Sequence, residues 1–169
     1  MLPALLTLGL SSGPAVADAD TSSQSSDIVA IRSIAASPEA VVAVLSDLHR
    51  VETLWPADCT RDWLHGAVSA GPGASAELTY TMGPMRRRLA ATLSRVEAGR
   101  FVELDHAGKR GFITRWVLTP GELGTSVEAH TWIQPPPWPF GKLYTNRVQP
   151  VWQGCQEGFL EALAQAVAD

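Results

Sequence analysis

Charge is scarce in this chain. Only 18% of its 169 residues are Asp, Glu, Lys or Arg, against roughly 25% in an average globular domain. The balance is slightly acidic, with a net charge of −4, so the basic field of a dedicated nucleic-acid binder is missing. Cysteine is reduced to Cys59 and Cys155, with no CxxC, and His49, His65, His106 and His130 form no HxH or HxxxH. That spacing argues against a zinc site, and no metal or other cofactor is expected. There is no Gly-rich phosphate loop, GxSxG elbow or HExxH, so the chemistry those motifs carry has no support. What the chain does have is apolar bulk: 46% hydrophobic residues and six tryptophans. This composition excludes wholesale disorder and suits one domain with a substantial core.

Residues 1–17 (MLPALLTLGLSSGPAVA) hold no charge, and their leucine-rich run is too short to cross a bilayer. Small residues at Ala15 and Ala17 suit signal-peptidase cleavage after Ala17. A signal peptide, and hence a periplasmic or secreted protein, is the expectation. No Lys or Arg precedes the run, so a cytoplasmic protein with an apolar leader is the alternative. Residues 18–27 (DADTSSQSSD) are polar and aperiodic and read as a flexible linker. Residues 28–169 read as one domain.

Residues 28–35 (IVAIRSIA) have the β-branched character of a strand. Ser37-Pro38-Glu39 offers an N-cap, a proline for the first turn and an acid beside it. Helical spacing then runs to about Leu48, and a second short piece over 50–54 stops before Pro56. Beyond Cys59, turn residues (Gly66 among them) punctuate six segments, at 60–64, 74–82, 87–96, 101–107, 112–119 and 126–133. Tight connections of this kind predict an antiparallel meander. After the prolines at 135–139, Val148, Val151, Cys155, Phe159, Leu163 and Val167 form a stripe at steps of three and four. A helix over 140–167 follows, with Pro150 kinking it or marking its start. The simplest burial is an α+β arrangement: a curved seven-stranded antiparallel sheet closed by the long C-terminal helix.

This order resembles the helix-grip fold of the SRPBCC superfamily, which includes START-like lipid-transfer domains and polyketide cyclase/dehydrase-like proteins. The residues that carry the likeness are ASPEAV at 36–41, Ser46-Asp47, Trp55-Pro56, Gly124-Thr125 and the terminal helix. The resemblance implies an apolar cavity between sheet and helix, and functions from lipid carriage to ring cyclisation. Alternation along 112–119 groups Phe112, Thr114, Trp116 and Leu118 on one face, and along 126–133 groups Val127, Ala129, Thr131 and Ile133. The small residues among the inward candidates, Ala91, Ala129 and Thr131, would leave volume beneath the helix.

Two functions compete. As a binding protein, the chain would hold a lipid-like or polycyclic guest with Trp55, Tyr80, Trp116, Thr131, Tyr144, Trp152 and Phe159, and meet its polar end with Arg147. As a cyclase/dehydrase-type enzyme, it would fold a poly-ketone chain by orientation, assisted by His130, His106 or Arg115. Arg86-Arg87-Arg88 is either a clamp for an anionic group at the mouth or solvated strand charge. Trp138 and Phe140, in a proline-rich loop, could lid the cavity, touch a membrane surface or pack on the chain itself. Cys59 and Cys155 are either one disulfide or two buried thiols.

Overall fold

The architecture is that of a computed structural model, which describes residues 27–59, 61–68, 70–82, 85–107, 111–133 and 141–168. Strand β1 (Ile28–Ile34) leads into α1 (Pro38–Leu45). Ser37 starts that helix: its hydroxyl accepts from the Ala40 amide at 3.3 Å, and Pro38 supplies the preset φ of a first turn. The two short helices divide earlier than the apolar spacing predicts. Asp47 is extended and its carboxylate accepts from the amides of His49 (3.0 Å) and Arg50 (3.4 Å), so it caps a new helix, α2 (Leu48–Thr53), instead of prolonging α1. A 3-10 turn at Ala57–Cys59 follows.

Six strands then run in sequence: β2 (Arg61–Val68), β3 (Ser75–Met82), β4 (Met85–Glu97), β5 (Phe101–Ala107), β6 (Phe112–Gly121) and β7 (Gly124–Ile133). Together with β1 they form one antiparallel sheet in the order β1-β7-β6-β5-β4-β3-β2. Gly66, expected in a turn, lies inside β2. The register slips at Ser94, where Leu93 faces Leu104 but Arg95 faces Glu103. An extra residue of this kind bends its strand and sharpens the local twist. Ser94 Oγ stitches the irregularity shut by donating to the Glu103 carboxylate at 2.9 Å.

The last element, α3 (Gly141–Ala168), is one 28-residue helix that keeps Pro150 in its interior rather than starting there. It is fixed at several heights. Near its start, the Gln149 and Gln153 amides donate to the Asp27 and Val29 carbonyls of the border strand, at 2.6 and 3.0 Å. Midway, Cys155 is disulfide-bonded to Cys59, across 96 residues of chain. One turn on, Gly158 faces Pro56, and a Cβ at that glycine would sit 2.5 Å from the proline ring. Asp27, assigned to a linker by composition, belongs to the fold: its amide donates to the Thr131 carbonyl and its carboxylate accepts from the Ile133 amide. Residues 1–17 and the rest of the linker segment lie outside the described residues.

Candidate functional site

Alternation on the strands and the apolar stripe of α3 meet in a single layer. Trp152, Cys155, Gln156, Phe159, Leu160 and Leu163 are all buried on one side of α3. Opposite them, β6 directs Phe112, Thr114, Trp116 and Leu118 inward, and β7 directs Val127, Ala129 and Thr131. Register places His106 across from Phe112, Leu104 across from Thr114 and Val102 across from Trp116.

The rings in this layer form a continuous belt. Trp116 stacks on Phe159 (5.4 Å between centroids), Phe159 meets Trp55 (4.8 Å), and Trp55 stacks on Trp152 (5.4 Å). From there Trp152 meets Phe112 edge-on (4.7 Å), Phe112 stacks on His106 (3.9 Å), and Tyr80 sets its edge against His106 (5.1 Å). Apart from the closer Phe112–His106 stack, these separations are those of favourable aromatic pairs. Under the helix, where the sequence predicts an open hollow, these rings line the layer and touch one another. Among the described residues, two grooves open on the outer surface. One, of about 620 Å³, lies beside the β6–β7 turn, and the other, of about 480 Å³, lies between Ile31 of β1 and Gly154 of α3. Neither is lined by a residue of the belt.

Within the apolar layer lies a small polar relay. Gln156 Nε2 donates to Thr131 Oγ1 at 3.0 Å, and Thr131 Oγ1 shares a hydrogen bond with Thr114 Oγ1 at 3.1 Å. All three residues are fully buried. Gln156 Oε1, Trp116 Nε1 and Trp152 Nε1 are buried with no hydrogen-bond partner.

The sequence-derived candidates separate cleanly. Trp55, Tyr80, Trp116, Thr131, Trp152 and Phe159 come together in the layer, and His106 joins them. Arg115 and His130 do not. Period-two alternation sends both to the opposite face, where Arg115 pairs with Glu103 (Nε to Oε2, 2.8 Å) between the rings of Phe101 and Trp132. His130 lies there too, against Glu128 at 3.3 Å and stacked on Trp132. Neither can serve chemistry beneath α3. Arg147 is exposed on α3. The side chain of Tyr144, and Trp138 and Phe140 entirely, lie outside the described residues. On β5, Asp105 is pushed above the usual carboxylate range, first by burial and then by the neighbouring Glu103 charge. Among the described residues no group of His, Cys, Asp and Glu could hold a metal ion. Gln156 was missed by sequence reasoning, although its signal was present: a polar residue inside an apolar stripe, four after Trp152 and three before Phe159.

Residues 25–168 match the family described as polyketide cyclase / dehydrase and lipid transport. The chain belongs to that family. Its helix-grip architecture recurs in solved structures of low sequence identity. The KanY protein (ms6282) superposes with a TM-score of 0.69 at 22% identity, covering 83% of this chain and 96% of that one. TTHA0849 from Thermus thermophilus gives 0.65 at 18% identity, with 83% and 96% covered. A protein from Arthrobacter aurescens gives 0.62 at 14%, with 83% and 84% covered. A search of curated proteins finds no match. At these identities the polyketide cyclase/dehydrase family's fold carries over, and a particular chemistry does not.

Proposed function

We propose that the protein binds and carries a hydrophobic small molecule, lipid-like or polycyclic, between the sheet and α3. The observation that carries this reading is the continuous aromatic belt joining the two, from Trp116 through Phe159, Trp55 and Trp152 to Phe112. Flat rings exchange one stacking partner for another at little cost, so a planar guest replaces ring–ring contacts with ring–guest contacts as it enters. Each methylene buried contributes about 0.8 kcal/mol. The test is intact mass, measured natively after gentle isolation and again after organic extraction. A native mass excess that extraction removes, with the released compound apolar, is expected. Protein from several sources that always carries its bare chain mass, and takes up no added hydrophobic compound, would overturn the reading.

A second reading, cyclase/dehydrase-type chemistry in the same layer, is favoured by His106. This imidazole is 1% exposed and lies among Tyr80 and Phe112, where a general acid or base would have to stand. Under the carrier reading, His106→Ala retains guest uptake. Loss of a demonstrated turnover in that variant, with uptake intact, would establish the enzyme instead. Export remains part of the proposal. Its support is the Cys59–Cys155 bond, a linkage that persists in oxidising compartments and is rare in the cytosol.

A further inference from the structure

Among the described residues, the polar atoms buried in the layer without a hydrogen-bond partner include the Gln156 carbonyl oxygen and the indole nitrogens of Trp116 and Trp152. Their residues are 0%, 0% and 2% exposed. Buried polar groups are nearly always hydrogen-bonded, and each that is not costs free energy on folding. The three residues also lie in one part of the layer. Trp152 and Gln156 stand one turn apart on the same side of α3. Trp116 follows Thr114 by two residues on the inward side of β6, and its ring stacks on Phe159, three residues beyond Gln156. Chemically they are one acceptor and two donors.

Resting on the carrier reading above, we propose that the guest is a hydroxyl-bearing apolar molecule, an alcohol or phenol, held at its polar end by Gln156. Its O–H donates to Gln156 Oε1, and the guest's own oxygen accepts from an indole N–H of Trp116 or Trp152. The relay sets the direction of this recognition. Gln156 Nε2 is committed to Thr131 Oγ1, which is itself tied to Thr114 Oγ1, so the amide presents its oxygen to the guest. A guest with no O–H leaves that oxygen unpaired in a dry site. Sites built to pair a hydroxyl discriminate strongly against analogues that lack one.

The experiment compares 1-naphthol, 1-methoxynaphthalene and naphthalene by calorimetric titration of the full chain. The first both donates and accepts, the second only accepts, and the third does neither. Binding of 1-naphthol at least about tenfold tighter than 1-methoxynaphthalene is expected. In Gln156→Met, which keeps side-chain length and removes the acceptor, that ratio falls to less than about twofold. Equal affinity of the wild-type chain for all three, or a preference for the methoxy compound, overturns the hydroxyl assignment and leaves carriage standing. Failure of all three to bind overturns carriage as well. The wild-type ratio decides the question even if the variant does not fold.

Discussion

Gly154 and Gly158 stand one turn apart on α3, yet substitution should move stability in opposite directions. A Cβ at Gly154 would meet nothing within 4 Å, whereas one at Gly158 would press on the Pro56 ring. Gly154→Ala should therefore gain up to about 1 kcal/mol from helix propensity alone. Gly158→Ala adds an overpacking cost of about 1–3 kcal/mol and comes out net destabilising. Urea midpoints of the two variants check the contrast, and a gain at both sites would refute the close approach to Pro56. A second residue-scale prediction concerns Asp105, whose pKa is raised in the folded state. Its unfolded form ionises first as pH rises, so the group subtracts stability once pH exceeds the folded pKa and subtracts nothing below the unfolded value. Asp105→Asn should raise the melting temperature at neutral pH, with the gain fading as pH falls through the raised folded pKa and gone below about 4. At this scale the sequence was a partial guide. Alternation grouped Thr114 with Trp116 and Ala129 with Thr131, which leaves Arg115 and His130 to the opposite, convex face, where the structure has them.

At the scale of elements, the strands were legible wherever turn residues bounded an alternating run, as in β5, whose bounds match the reading from sequence. Legibility failed where a side chain competed with the backbone. Asp47 ended one helix and opened another by capping two amides, and the apolar period on either side of it carries no trace of the break. Gly66 looked like punctuation, yet it lies inside β2, at an irregularity in the pairing with β3 of the kind glycine often marks. The outer face of β5 and β6 offers a test of its own. Arg115 and Glu103 are mostly covered, with 15% and 11% of their side chains exposed. Removing one partner of such a pair costs more than removing both. Arg115→Met should destabilise by about 2–4 kcal/mol, and adding Glu103→Leu should recover a measurable part of the loss in chemical denaturation. If the double variant is no more stable than the single, the pair is effectively solvated.

For the whole molecule, the pairing of Cys59 with Cys155 decides how the N-terminal third is joined to the last helix. Sequence left this open, because 96 residues of separation say nothing about proximity until the sheet has brought the 3-10 turn beneath α3. Closing so long a loop contributes about 4–5 kcal/mol in the chain-entropy model. The double variant Cys59→Ser/Cys155→Ser should lose a large part of that, read from its denaturation midpoint in buffer without reductant. Addition of dithiothreitol should lower the wild-type midpoint to that of the variant and leave the variant unmoved. An unchanged wild-type midpoint would mean that the bond does not form.

The attachment of α3 to the border strand has a further consequence. By occupying the carbonyls of Asp27 and Val29, the amides of Gln149 and Gln153 hem one rim of the sheet with groups from the same chain. A neighbouring molecule that tried to zip onto that rim would first have to strip the glutamines away. The helix that covers the interior thus also guards against self-association, and replacing both glutamines with alanine should make concentrated solutions turn cloudy before any loss of the fold is detected.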